Sequence, residues 1–247
     1  MPLISSLLKR TDLVGAVDAA WAHIAMPGST WTGAERVAIA FEARTATKCQ
    51  LCAHRKAALS PYHLDGDHDS ASSLPPAAID AVHRIVTDPA RLTQAWFQAN
   101  AATGLSDAAY VEIVGVVASA VAVDSLALAL GAKPPDLPQP VAGRATGVTS
   151  SNAVVHSAWV PTVPPDAARG ELSELYAQRL TNRWGFVGNI HRALTLVPAE
   201  QVMLTTLLEA MYAPMTLMGG ANSIRAISAP QVELIAATVS AANGCLY

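Results

Sequence analysis

Aromatic residues are scarce in this chain: three Phe, five Trp and five Tyr among 247 residues. Strands draw on aromatic and β-branched side chains, so a sheet-built core is disfavoured. Charge is scarce too, at 14% of residues, and no basic block interrupts a formal net charge of −3. That balance leaves no polyanion footprint, so nucleic acid is not an expected partner. Three cysteines are too few for a disulfide framework. The most apolar run, Ile113 to Val123, lies between Glu112 and Asp124. It falls short of the roughly 20 residues that span a bilayer. Met1 to Arg10 is too short and too mixed for a signal peptide. These absences predict a soluble, cytoplasmic protein with no membrane role.

Ala, Val and Leu fill the space instead, and Ala and Leu favour helix. The expected class is all-α. Punctuation by Pro, Gly and capping residues predicts helices over Thr11 to Ala25, from Thr32 to about Thr45, and from Cys49 to Leu59. Further helices are expected over Ala77 to Val86, Ala90 to Ala102 and Asp107 to Leu130, with Gly131 as the last one's C-cap. Residues 132–170 are rich in Pro, Gly, Ser and Thr and carry no helical period, which reads as a linker, partly extended near Trp159. Helices resume over Glu171 to Leu180, Asn189 to Leu196 and Ala199 to Met211. A loop is expected over 214–226, and a closing helix from Ser228. The helix from Asp107 is apolar nearly all round, as befits a core helix or an oligomer face.

Two of these helices share a plan. Thr32 with Glu35, and Ser228 with Gln231, form the capping-box pattern. Cys49 follows Thr32 at the same separation as Cys245 follows Ser228. Ile39 and Ala40 fall opposite Ile235 and Ala236 at that one offset. The pattern predicts a reused helical unit, hence two related repeats.

Cys49-Gln50-Leu51-Cys52 is a Cys-x-x-Cys at a helix start. Unpaired N–H groups and the helix dipole there favour a thiolate at the first cysteine. The second, one turn on, is placed to resolve a mixed disulfide or a sulfenic acid. A carboxylate or histidine must move the proton. The plainer reading is a pair of small buried residues. A zinc half-site would need two more ligands, and no second Cys pair supplies them. His63, Asp65, Asp67, His68 and Asp69 read as a solvated turn, without the spacing of a calcium loop. The pairs His83-Arg84 and His191-Arg192 read as helix-face salt bridging or capping, and Trp159, Trp184 and Phe186 as packing anchors.

At Glu233, Cys245 and the Cys49–Cys52 pair the sequence resembles the AhpD-like alkylhydroperoxidases of the carboxymuconolactone decarboxylase superfamily. Their signature is Glu, eleven residues, Cys, two residues, Cys, three residues, His. Glu233 and Cys245 match its first two elements, with Asn243-Gly244 and Tyr247 also alike. Asn189 to Leu194 with Pro198 looks like the family's lead-in helix, and Leu105 to Gly131 like the long helix of its peroxidase-related members. The resemblance implies an AhpD-like helical bundle of two tandem repeats: 1–133 with the complete pair, a linker at 134–170, and 171–247 ending within its motif. It implies a homo-oligomer (dimer, trimer or hexamer) and reduction of organic hydroperoxides through cysteines. An external thiol reductant would recycle them, with no organic cofactor. Glu233, Cys245, Cys49 and Cys52 are the implied catalytic residues. The pattern departs at Val37, where the first copy should carry its glutamate, and at Lys56, where it should carry its histidine. Glu35 and Glu42 are near but out of register. The alternative is therefore a catalytically silent scaffold or small-molecule binder of the same fold. The sequence closes at Tyr247 where a second cysteine would follow, which raises two expectations, a UGA-encoded selenocysteine or a shortened chain.

Overall fold

A computed structural model describes residues 10–182, 184–212 and 226–245. The expected loop at 214–226 falls outside these except for its last residue, as do Met1 to Lys9 and the terminal Leu246-Tyr247. Among the described residues the fold is all-α, with an isolated antiparallel bridge between Val154 and Thr162.

Helix α1 (Thr11–Ala25) buries Leu13, Ala16, Val17, Ala20, Trp21 and Ile24, a stripe at helical spacing. Helix α2 (Gly33–Ala46) begins at the capping box: the Thr32 N–H donates to Glu35 Oε2 at 2.8 Å, and the Glu35 N–H donates to Thr32 Oγ1 at 3.3 Å. Cys49 is the N-cap of α3 (Gln50–Ala57). Pro76 opens α4 (Pro76–Thr87), where its missing N–H costs nothing. The helix expected over 90–102 is shorter, α5 (Gln94–Ala102). Thr93 caps it by accepting the Trp96 N–H, and Pro89–Arg91 is a separate 3-10 turn.

Helix α6 (Asp107–Ala129) runs through the centre, packed against α1, α2 and α4 and against α8 (Pro198–Met211). It ends where Gly131 turns left-handed (φ 69°) and the Ala132 N–H donates to Ala127 O at 2.9 Å. By length and composition it is long enough to cross a membrane, longer than the apolar run read from the sequence. Eleven of its residues are nonetheless buried, Glu112 among them.

The segment 134–169 holds no α-helix, makes a 3-10 turn at Pro165–Ala167, and is tied to the helices at several points. The Val141 N–H donates to Ala25 O, the Thr146 N–H to Gly28 O and the Ser150 N–H to Leu196 O. It leads into α7 (Gly170–Leu175), which continues through a π turn at Tyr176–Leu180. The helix expected over 189–196 is a short 3-10 turn, Asn189–Arg192. Leu194, Leu196, Val197, Met203 and Leu207 share one core with α1, α2, α4 and α6. The closing helix α9 (Ala229–Ala242) buries none of its residues. Trp184 and Phe186 stack on each other at 6.5 Å and are exposed, so they are not packing anchors in the core.

At the centre sits a charge network. Arg36 is 0% exposed and its Nη1 bridges Glu112 Oε1 and Glu200 Oε1, the latter at 2.7 Å. Arg36 Nη2 donates to His23 O at 3.2 Å, and His23 Nε2 meets Glu200 Oε1 at 2.9 Å. The Thr30 N–H donates to Glu112 Oε2 at 2.7 Å. Two glycines make the room. A Cβ at Gly28 would lie 1.7 Å from Glu112 Oε1, and one at Gly115 would lie 2.3 Å from Glu200 Oε2. Burial raises both carboxyls. For Glu112 it prevails over Arg36, and the carboxyl stays above its ordinary range. Glu200 has His23 as well as Arg36, and together they hold it below.

Removing the shared cation leaves two carboxylates facing each other in the core. Arg36→Met should cost about 3–5 kcal/mol in denaturant unfolding. A loss under about 1 kcal/mol, the size of a surface pair, would show the network to be peripheral. Because the Glu200 carboxyl is depressed in the fold, its stabilisation is complete above the unfolded carboxylate value of about 4.3. It is lost as pH falls through the folded value. Glu200→Gln should therefore flatten the acid limb of the stability profile.

Candidate functional site

The Cys49–Cys52 pair is buried, at 1% and 2% exposure. Helix α2 ends at Ala46 and the chain re-enters helix at Cys49, so the first sulfur sits over the open N–H groups of α3. Cys49 Sγ accepts the Asp69 N–H at 3.4 Å. The stretch after α3, read from sequence as a solvated turn, folds back over this helix start. Asp69 Oδ2 accepts the Gln50 N–H at 2.7 Å, and His68 is carried inward. Its Nδ1 lies 3.6 Å from Cys49 Sγ and 3.5 Å from Cys52 Sγ. His63, five residues earlier, remains exposed.

A second histidine arrives from α4. His83 is fully buried, and its Nδ1 lies 3.4 Å from Cys52 Sγ. The salt-bridge role expected of it is half of what it does: Nε2 pairs with Glu42 Oε2 at 3.0 Å while the other ring nitrogen faces the thiol. Glu42, out of register along the motif, reaches the site from α2, whose side packs on α4. Its other oxygen accepts from Ser70 Oγ at 2.6 Å and the Ser72 N–H at 3.1 Å. His68 has a matching partner, its Nε2 lying 2.9 Å from Asp80 Oδ1. Arg55 Nη1 donates to the same oxygen at 3.0 Å, and Trp96 Nε1 donates to Asp80 Oδ2 at 2.7 Å. Each histidine thus points one nitrogen at sulfur and the other at a carboxylate.

The protons follow from these environments. Burial works against every charge here, and specific partners decide which charges survive. At Glu42, bonds from Ser70, Ser72 and His83 prevail and bring the carboxyl down to about 2. At Asp80, His68, Trp96 and Arg55 prevail and hold it well below the carboxylate range. At His68, burial is overcome by Asp80 and the two sulfurs, which raise the imidazole to about 10. At His83, burial prevails, aided by the charge of His68, and the ring is pushed down. At Cys49, the Cys52 and Asp69 N–H groups with His68 outweigh burial and lower the thiol. A charged His68 donates from both nitrogens, to sulfur and to Asp80. A neutral His83 that donates Nε2–H to Glu42 offers a bare Nδ1 to Cys52 Sγ. The arrangement is a lowered Cys49 thiol beside a raised imidazole, with a second, depressed imidazole facing Cys52.

Cys49, Cys52, His68 and His83 are also a group of four metal-type donors, whose ligand atoms all lie within 4.8 Å of one another. The two ligands missing from the sequence reading are these histidines. Glu233 lies exposed on α9, and Cys245 lies exposed just past its end. Neither belongs to the four-residue group. No protein-family model, curated protein or solved structure matches this chain.

The burial pattern sets an order of thiol reactivity. A bulky aromatic disulfide reagent should modify Cys245 quickly in the native chain. Cys49 and Cys52 should follow only on unfolding. Simultaneous modification of all three in the native state would mean that the 64–73 segment does not cover the pair.

Proposed function

We propose that this chain is a thiol-dependent hydroperoxide reductase of the AhpD-like kind, working through Cys49 and Cys52. The observation that carries the reading is a buried dithiol flanked by two histidine–carboxylate couples: His68–Asp80 reaches both sulfurs, and His83–Glu42 reaches Cys52. In the family signature a glutamate and a histidine occupy fixed positions around the pair. Here Val37 and Lys56 stand at those positions, and Glu42 and His83 from other turns and helices take up the roles.

The Cys49 thiolate attacks the terminal oxygen of a hydroperoxide, ROOH. The O–O bond breaks, Cys49 becomes a sulfenic acid, and the alkoxide leaves as ROH with a proton from His68 Nδ1. Cys52 then attacks the sulfenic sulfur as His83 Nδ1 takes its proton and passes it to the departing hydroxide, so the S–OH oxygen leaves as water. The Cys49–Cys52 disulfide holds the two electrons lost. An external dithiol in a reducing, cytoplasmic setting restores the pair by exchange. Glu42 and Asp80 fix the tautomer and charge of the two rings. The scheme assigns no step to Glu233 or Cys245, which belong in this reading to the second of two tandem repeats. Leu234, Ile235 and Val239, exposed on α9, support assembly into a homo-oligomer.

The test is steady-state consumption of tert-butyl hydroperoxide with dithiothreitol as reductant. Cys49→Ser and Cys52→Ser should each abolish turnover. His83→Gln, which removes the base at Cys52, should slow it on the order of 100-fold. Turnover that survives in both cysteine variants, or is absent from the metal-free wild type, would overturn the reading in favour of a silent scaffold.

A further inference from the structure

We infer that Cys49, Cys52, His68 and His83 form a tetrahedral binding site for a zinc-class divalent cation, and that the ion caps the dithiol against oxidation. The capping role rests on the redox reading above, whereas the site itself rests on geometry alone.

A tetrahedral ion with Zn–S of about 2.3 Å and Zn–N of about 2.0–2.1 Å separates its sulfur and nitrogen ligands by about 3.6 Å. Three of the four sulfur–nitrogen distances here are 3.6, 3.5 and 3.4 Å, and the four ligand atoms all lie within 4.8 Å of one another. Both imidazoles present Nδ1 to the sulfurs and bind a carboxylate through Nε2, at 2.9 and 3.0 Å. That carboxylate–histidine arrangement orients imidazoles on metals and raises their basicity. The carboxylates are themselves held, Asp80 by Arg55 and Trp96, Glu42 by Ser70 and Ser72. Two thiolates and two imidazoles favour zinc and disfavour magnesium and calcium, which want oxygen. All four positions are filled by protein, which is the closed geometry of a structural zinc and leaves no place for a reactive water.

Binding displaces protons, since each sulfur must be a thiolate and each ligating nitrogen bare. The ion takes the place of the protons that the sulfurs and the ligating ring nitrogens hold in its absence. Both sulfur lone pairs needed for attack on peroxide are then engaged. Oxidation reverses the state: the two bound thiolates give two electrons to ROOH, two protons come from solvent, and the products are the Cys49–Cys52 disulfide, ROH, water and the released ion. The disulfide removes two of the four ligands, so the ion does not return until the pair is reduced.

The full chain, loaded with zinc under reducing conditions and dialysed against metal-free buffer, should retain one ion per chain by elemental analysis. Cobalt in its place should show thiolate-to-metal charge transfer with the intense d–d bands of a tetrahedral site. His68→Ala, in the covering segment, should lose the ion, and His68→Cys should restore it. Asp80→Asn should weaken binding 10–100-fold. Stoichiometric hydroperoxide should release the zinc, read with a metallochromic dye. Loss of zinc on dialysis of the wild type, or cobalt spectra without thiolate bands, would overturn the site. Retained zinc that peroxide never releases would leave the site standing and overturn its capping role. Peroxide turnover by a wild-type chain that fails to retain zinc would overturn both the site and its capping role, sparing the reductase reading alone.

Discussion

One buried guanidinium fixes how the helices of this protein meet. Arg36 on α2 holds Glu112 of α6 and Glu200 of α8, and His23 of α1 joins through Glu200. Apolar packing sets the distance between helices, but it is non-directional and leaves sliding along their axes weakly opposed. One guanidinium nitrogen shared by two carboxylates, with its neighbour on the His23 carbonyl, permits little sliding in a dry interior, because a misplaced helix would strand a buried charge. Gly28 and Gly115 are part of the same constraint, since any side chain there would occupy the carboxylates' space.

That constraint also sets the site. Glu42 lies on the same helix as Arg36, about a third of the way round its circumference at 100° per residue. The helix therefore carries a buried charge toward α6 and α8 and another toward α4. Locking the first in register locks the second opposite His83. The covering segment completes the enclosure through bonds to both ends of the pair: Asp69 to the start of α3, and Ser70 and Ser72 to Glu42. The cysteines are thereby held between two rings whose outer nitrogens are both anchored. A low dielectric then amplifies small differences between the rings, so that one is charged and the other neutral.

The local part of this was legible in the sequence. The capping boxes, the Pro and Gly punctuation and the Cys-x-x-Cys at a helix start depend on residues a few positions apart. The boundaries that shifted did so for local reasons as well: Thr93 offers a better cap than Ala90, and past Arg192 the chain turns, with Thr195 Oγ1 donating to Arg192 O and the Leu194 N–H to Gln201 Oε1. The site was not legible, because its bonds join residues far apart in sequence, Cys52 to His68 and His83, and His83 to Glu42. A motif spacing tests for a relay along one helix, and this one is assembled from α2, α3, α4 and a loop. A weaker signal was present. His83 interrupts the apolar face formed by Ala78, Ala81 and Val82, and Glu42 lies between Ile39 and Ala46 on a helix apolar over most of its surface. An ionisable residue inside such a face must have a partner, since unpaired burial is too costly. The sequence does not say which partner it is.

The two roles proposed for the centre are compatible because exchanging them leaves its charge unchanged. In the proton form that the proposed reaction uses, Cys49 is the thiolate, Cys52 the thiol, His68 the proton donor and His83 the bare base. In the metal form, both sulfurs are anionic, both rings neutral, and the ion carries two positive charges. Two protons leave as one dication enters, so Glu42, Asp80 and Arg55 around the rim need not change state. A buried pocket strongly resists a net change of charge, and this exchange asks for none. Oxidation is different. It removes both sulfur anions and leaves the dication only two neutral imidazoles as ligands, so the attraction that retained the metal is lost. The same four side chains can then hold an ion firmly while reduced and reject it once oxidised, without any movement of the helices that carry them.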